Sequence, residues 1–442
     1  MITNHLTVYP AQPLRGRVSV PGDKSISHRA VVLGALADGP SQVTNFLPAA
    51  DCQATLHAIQ ALGIEVEQPE PTALHIHGQG LKGLSEPDNV LDCRRAGTAM
   101  RLLAGLLAGQ PFLSVLAGEP QLLRRPMARI VRPLQQMGAT ILGRQDGRLP
   151  PLAIRGGGLQ GIDYTLPVAS AQVKSAILLA GLYAEGKTTI REPGPARDHT
   201  ERMLAARGCK LQVAGPTIEL TPPQQLQAMD ITVPGDFSSA AFLLVAAALV
   251  PGSELIVEGV GVNPTRTGLL DILRAMGADM HVQAQRSISG EPVADLVMRA
   301  SELHGTQVSG ELVVRTIDEF PILAVAATQA RGETIVRDAA ELRVKETDRI
   351  ATTVGELRRL GAQIEAQSDG FVVHGPSRLQ ASEPSGEGPA LVNSHNDHRL
   401  AMALAVAGLV AIGRTRIMGA DCINDSFPGF ELLLARLQGS AR

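Results

Sequence analysis

The sequence predicts an α/β protein of two domains, each built from three copies of one strand, helix, strand, helix, strand unit. Three observations carry this expectation. The chain has 442 residues, more than one hydrophobic core usually supports. Two helix-then-strand signatures alternate strictly along it, recurring at about 70 to 80 residues, a longer period than the common solenoids. The tetrapeptide Val20-Pro21-Gly22-Asp23 returns as Val233-Pro234-Gly235-Asp236, marking two places where the chain crosses between domains.

The first signature is an Ala/Leu-rich helix closed by glycine, with a short β-branched strand after most copies. It occurs at 30–39, 99–109, 175–186, 240–252, 321–332 and 400–413. The second is an amphipathic helix whose last turn runs into glycine before another strand, at Gly63, Gly138, Gly208, Gly277 and Gly361, with a sixth copy ending at Gly439. Glycine past a helix end supplies a left-handed cap, and the residues after it have strand character. One domain is therefore expected at 21–234, and the other at 1–20 with 235–442. The Ser/Gly/Pro-rich tract 382–389 falls inside one unit and reads as a surface loop.

Composition excludes several function classes. Hydrophobic residues make up 44% of the chain, but only 2% are aromatic and none is Trp, leaving little to stack on nucleobases. A net charge of −3 gives no broad basic surface for a phosphate backbone, so no nucleic-acid partner is expected and any cations act locally. The four cysteines, Cys52, Cys93, Cys209 and Cys422, form no close pair of the zinc or redox kind, which suits a reducing compartment. Residues Met1 to His5 lack the basic start and apolar run of a signal peptide, so a cytoplasmic protein is expected. The longest apolar runs, 240–250 and 400–412, fall short of the roughly 18 residues that span a bilayer, and no membrane association is expected.

The chemistry gathers at helix starts, where unpaired N–H groups and the helix dipole favour anions. Polar clusters stand just before each Ala/Leu-rich helix, at 24–29, 94–98, 170–174, 236–239, 318–319 and 396–399. Six such starts converging on one cleft would attract a multiply charged anion, although the cluster at Asp236 alone reads as an ordinary N-cap. Two further clusters open second-signature helices. Arg125 precedes Pro126, which suits the first helical position, and the run 342–349 is read as helical, with Lys345 and Arg349 at i and i+4 beside Glu346. Alone such charges form a solvated face, but their recurrence at equivalent helix starts argues for a site.

Several of these stretches resemble a known family. They are Gly22-Asp23-Lys24-Ser25-Ile26-Ser27-His28-Arg29, Ala96-Gly97-Thr98-Ala99-Met100-Arg101, Arg125-Pro126, Leu342-Arg343-Val344-Lys345-Glu346-Thr347-Asp348-Arg349, Asn396-Asp397-His398-Arg399 and Ser426-Phe427-Pro428. Together, and in this order, they are similar to the 5-enolpyruvylshikimate-3-phosphate synthases among the enolpyruvyl transferases. The resemblance implies an α/β fold of the two-domain inside-out α/β barrel kind, with six βαβαββ repeats, three per domain, and the active site in the interdomain cleft. It implies transfer of the enolpyruvyl group of phosphoenolpyruvate to the 5-hydroxyl of shikimate 3-phosphate with release of phosphate, by addition and elimination. These small molecules would be the only partners; no metal and no organic cofactor is implied, and a monomer is expected.

Carried over by position, the resemblance implies that Lys24 touches both substrates. Ser25, Arg29, Ser170, Gln172, Asp318 and Lys345 would bind shikimate 3-phosphate, with Arg197 a further phosphate contact. Gly97, Arg125, Gln172, Arg349 and Arg399 match the phosphoenolpyruvate contacts. The substrates carry two carboxylates and two phosphates, which suits the planar, bidentate fork of arginine. For the proton steps Asp318 is assigned as base and Glu346 as acid, with Lys24 stabilising charge; a partly desolvated setting would keep Glu346 protonated when needed.

The match departs at three positions. Arg95 stands where the family usually has Asn, placing a bulky cation beside the phosphoenolpyruvate position; Asp425 replaces a common Lys, and Glu341 a common Asn. The runs 169–174 and 197–200 look like the glyphosate-tolerant branch of the family. The nearest rival is the sister enzyme acting on a UDP-linked amino sugar, but it uses a loop cysteine near the Arg125 region and none occurs between Cys93 and Cys209. A catalytically weak anion-binding homologue is the rival from another class. A P-loop enzyme fails because no glycine directly precedes Lys24.

Overall fold

The Ala/Leu-rich stretches form helices with almost no polar face. Lys24–Ala35, Gly97–Ala108, Ala171–Gly181, Phe237–Leu249, Phe320–Gln329 and His398–Val410 are buried along nearly their whole length. A helix apolar all round must lie inside a core, and each buried Leu, Ile, Val or Phe side chain contributes about 1.5–3 kcal/mol. Small residues let these helices approach: a Cβ on Gly105 of Gly97–Ala108 would collide with the backbone of Ala176.

The computed structural model describes residues 4–381 and 388–438, so residues 382–387 of the expected surface loop and the glycine at 439 lie outside the described residues. The chain divides into two units. One comprises 22–234 with 287–291; the described part of the other comprises 4–21, 235–286, 292–381 and 388–438. Each unit has its own apolar core, formed around three of the Ala/Leu-rich helices.

Within the first unit, the central repeat shows the pattern in full. Strand Leu91–Asp92 leads to helix Gly97–Ala108, strand Leu113–Ala117, helix Ala128–Gln136 and the antiparallel strands Thr140–Gly143 and Leu149–Arg155. The sheet order, with one parallel pair followed by two antiparallel pairs, recurs in sheets built on Ala37–Thr44 and Thr188–Arg191. In the second unit it recurs on Gly332–Val336 and on Glu254–Gly261, where Arg15–Ser19 supplies the parallel strand. Around Thr415–Met418, the N-terminal strand His5–Val8 takes the antiparallel place beside the parallel strand Ala390–Asn393.

The second-signature glycines do what their position requires. Gly63 and Gly361 take φ of 91° and 86°, after the C-cap residues of Ala50–Ala61 and Arg349–Arg359. The next residue then donates back five positions, Ile64 N–H to Ile59 O and Ala362 N–H to Leu357 O, closing the helix ends. The same bond follows Gly138, Gly208 and Gly277. Several first-signature glycines differ from expectation: Lys24–Ala35 ends earlier and Ala37 already pairs with Leu226, so Gly39 lies inside a strand and caps no helix, Gly332 and Gly413 also stand in strands, and Gly109 ends its helix in a right-handed conformation.

Each crossing tetrapeptide opens one Ala/Leu-rich helix. In the first unit Asp23 donates its N–H to Pro234 O at 2.8 Å, and in the second Asp236 donates to Pro21 O at 2.8 Å. Both aspartates then cap the helix that follows, accepting from Ile26 N and Ser238 N respectively. The cap expected at Asp236 is thus present.

Candidate functional site

In the first unit the site residues cluster at three helix starts. Lys24 opens Lys24–Ala35, and its ammonium lies 3.0 Å from Asp51 in the first turn of Ala50–Ala61. One turn further on, Arg29 is buried, donating to Ser25 O at 2.9 Å, Ser175 Oγ at 2.7 Å and Thr200 Oγ1 at 2.7 Å. Burial pushes its pKa down to about 10, with Glu201 and Asp23 opposing that shift and nearby Arg197 adding to it. Arg29 therefore ties two helix starts together while its charge stays confined among hydroxyls.

Gln172 joins the other two starts. Its amide donates to Thr98 Oγ1 at 2.8 Å, and its carbonyl accepts from Arg101, whose guanidinium also reaches Pro126 O at 3.4 Å. Arg125 follows the short 3-10 turn Leu122–Arg124 and lies against Gly97; a Cβ built on Gly97 would stand 2.6 Å from an Arg125 nitrogen and 3.2 Å from one of Arg101. Two guanidiniums therefore meet at the N-terminus of Gly97–Ala108, where the dipole also favours an anion. Ser170 is the N-cap residue of Ala171–Gly181 without a side-chain cap bond. Arg95 is engaged by Glu119 at 2.7 Å on a part-exposed edge.

The second unit concentrates charge more densely. Asp318, just before Phe320–Gln329, lies 3.4 Å from Arg349, 3.4 Å from Arg399 and 3.7 Å from Arg266. Arg349 also contacts Glu346 and Asp397, at 2.7 Å each, so one guanidinium bridges three carboxylates. Burial acts to lower the Arg349 pKa, yet Asp397, Glu346 and Asp318 hold it above its ordinary value. Asp397 in turn caps His398–Val410, accepting from Arg399 N and Leu400 N. Arg266 closes the far side through Asp236 at 2.9 Å, Ser238 at 2.6 Å and Glu319 at 3.4 Å.

The expected helix over 342–349 is not formed. Ala340–Val344 is a 3-10 turn and Arg349–Arg359 begins only after Asp348, whose carboxylate accepts from Ala351 N at 3.0 Å. An aspartate cap outcompetes continuation of the helix, so Lys345 and Arg349 share no helix face. Lys345 instead sits in the extended link between them. Burial brings its pKa down to about 8, while Asp318, Glu341 and Glu346 work against that drop.

Sequence reasoning placed Arg101, Glu319 and Asp397 within its motifs and clusters but gave them no role, and it passed over Arg266 altogether. Arg101 carried a signal, since it lies four residues beyond Gly97 and so on the same helix face. Arg266 carried none, because it precedes Gly268–Ala275 and reaches Asp236 only through the tertiary fold. All four cysteines are buried, and among the described residues no helix is long and apolar enough to cross a membrane.

Chemically, the arrangement offers cations at helix starts for anionic groups, and carboxylates beside them for proton transfer. The model of the EPSP synthase (3-phosphoshikimate 1-carboxyvinyltransferase) family matches residues 8–434. A 3-phosphoshikimate 1-carboxyvinyltransferase of Desulforamulus reducens is 52% identical over 429 residues, covering 97% of this chain and 98% of that protein. One from Desulforudis audaxviator is 53% identical over 433 residues, covering 98% and 99%. Among solved structures, EPSP synthase from Acinetobacter baumannii superposes with a TM-score of 0.86 at 43% identity, over 98% of this chain and 97% of that one. The enolpyruvyl transferase NikO from Streptomyces tendae shares the fold, with a TM-score of 0.79 at 18% identity over 98% and 97% of the two chains.

Proposed function

The chain belongs to the EPSP synthase family, and from that premise we propose that its helix-start cations hold phosphoenolpyruvate and shikimate 3-phosphate while Asp318 and Glu346 move the protons. Its reaction is that of the family: it transfers the enolpyruvyl group of phosphoenolpyruvate to the 5-hydroxyl of shikimate 3-phosphate and releases phosphate. The observation that carries the residue assignment is Arg349, which contacts both Asp318 and Glu346 and so keeps the two carboxylates within one guanidinium's reach.

In this reading Arg125, Arg349 and Arg399 hold the carboxylate and phosphate of phosphoenolpyruvate, with Gly97 and Gln172 as further contacts. Ser25, Arg29, Ser170, Gln172, Arg197 and Lys345 hold shikimate 3-phosphate, and Lys24 serves both. Each charge-assisted hydrogen bond contributes about 1.5–3 kcal/mol. Fixing two substrates in reacting geometry supplies roughly 7 to 11 kcal/mol of the barrier. Glu346 protonates the methylene carbon of phosphoenolpyruvate, making C2 electrophilic; Asp318 takes the proton of the attacking 5-hydroxyl. A tetrahedral adduct forms and Lys24 stabilises its charge; phosphate then leaves C2 with the proton held by Asp318 while a methyl proton returns to Glu346, giving the enol ether product.

We further read the protein as a cytoplasmic monomer acting on small molecules alone. The functional reading is tested by mixing the protein with shikimate 3-phosphate and phosphoenolpyruvate and measuring phosphate release. Turnover with this pair and none with a UDP-linked amino sugar is expected; absence of release with the first pair overturns the assignment.

A further inference from the structure

Four side chains of types that can ligate metals share one solvent face at the hairpin formed by Val66–Glu70, with Glu65 just before it, and Ala73–Gln79, and none belongs to the site described above. Strand alternation puts them there. Ile64, Leu74 and Ile76 point into the core and Val66 packs against it, so Glu65, Glu67, His75 and His77 project from the opposite face. Cross-strand pairing then matches unlike types: Glu67 is the partner of His75, and His77 donates its backbone N–H to Glu65 O at 3.0 Å. On the third strand, the partners of His75 and His77 are Gln42 and Pro40, which bring no competing cation.

We propose that this face binds one divalent transition-metal ion of the zinc type, with Glu65, Glu67 and His77 as ligands and His75 as the fourth. The ligand atoms of Glu65, Glu67 and His77 all lie within 4.8 Å of one another. Ligands about 2.0–2.2 Å from one tetrahedral ion are roughly 3.3–3.6 Å apart, a separation that surface side chains reach by small rotamer changes. One pair is already there, with His77 Nε2 3.4 Å from Glu67 Oε1, and His75 Nδ1 stands 3.7 Å from the other oxygen of Glu67. His77 Nε2 is shielded from solvent and makes no hydrogen bond, an unpaired ring nitrogen beside the Glu67 carboxylate.

The donor set selects the ion. Imidazole with carboxylate suits zinc, nickel and copper, whereas calcium and magnesium prefer oxygen throughout. Two carboxylates balance a dication, and the ion clasps two adjacent strands, stabilising the folded chain by mass action.

The test is a titration of the full chain with Zn²⁺ alone, by calorimetry and by competition with a chromophoric chelator, alongside His77→Ala and Glu67→Gln. The expected result is one saturable equivalent, about tenfold or more weaker in either variant. Excess Mg²⁺ or Ca²⁺ leaves it in place, and Zn²⁺ raises the melting temperature of the wild-type chain only. Unchanged phosphate release in both variants verifies that they are folded. Absence of a saturable equivalent, or one that survives His77→Ala undiminished, overturns the proposal; the face is then a set of solvated His–Glu pairs.

Discussion

Gly97 lies so close to Arg125 that a Cβ built on it would stand 2.6 Å from the guanidinium, well inside van der Waals contact. The atom it meets is the far end of a flexible side chain, so the chain still folds and the guanidinium moves instead. Gly97→Ala is expected to raise the KM for phosphoenolpyruvate about tenfold or more, the worth of one charge-assisted contact, with little change in the KM for shikimate 3-phosphate. Steady-state kinetics with each substrate varied in turn checks this; equal effects on both constants would refute a local displacement of Arg125.

Arg349 and Asp397 form the most deeply buried ion pair of the site, with side-chain exposures of 1% and 0%. Removing Asp397 leaves Arg349 only the part-exposed carboxylates of Glu346 and Asp318, so the loss falls below that of a fully stranded buried charge, about 3–5 kcal/mol. Asp397→Ala also removes the cap of His398–Val410, whereas Asp397→Asn keeps an accepting oxygen there and recovers about 1 kcal/mol. Urea unfolding measures both variants, and midpoints equal to wild type in both would show that Arg349 does not depend on this partner.

The repeat pattern was legible because each copy writes its own boundaries. Polar residues stand before an apolar helix, and glycine follows the second helix where only a left-handed residue closes the turn, as at Gly63 and Gly361. The candidate site was legible to the extent that its proposed residues sit at those boundaries: Lys24, Gly97, Ser170 and Arg399 do. Ion-pair partners were not, since the separations of Lys24 from Asp51 and Arg266 from Asp236 leave no periodic trace in the sequence. The helix expected over 342–349 does not form because Asp348 caps Arg349–Arg359 at its own start, a local bond that charge spacing does not reveal.

Lys345 should make binding of shikimate 3-phosphate depend on pH. Its pKa is lowered from 10.5 to about 8, so the native state binds fewer protons than the unfolded chain between those values. The protonated group therefore costs stability below about pH 8, and that cost fades as pH rises through the window up to 10.5. Ligand affinity runs the other way, because the ammonium is the form that attracts an anion. Calorimetric titration should show affinity falling above about pH 8, with Lys345→Met weaker overall and flat across the same range. A wild-type profile that persists in Lys345→Met would assign the titration to another group.

Glu346 and Asp318 should separate turnover from folding. Each side chain is partly open to solvent, 24% and 16%, and each contacts Arg349, so either can be altered at the rim of the network without opening the core. Glu346→Gln keeps shape and hydrogen-bonding capacity but has no proton to give the methylene carbon; Asp318→Ala removes the acceptor for the 5-hydroxyl proton. Both are expected to lose turnover by roughly 10² or more while the circular dichroism spectrum stays native. In Asp318→Ala the guanidiniums of Arg266, Arg349 and Arg399 lose a shared counter-charge, so a modest drop in melting temperature is also expected there, and Asp318→Asn serves as the control of similar shape. Rates equal to wild type in Glu346→Gln would remove that residue from the acid role and leave Lys24 as the remaining proton donor to test.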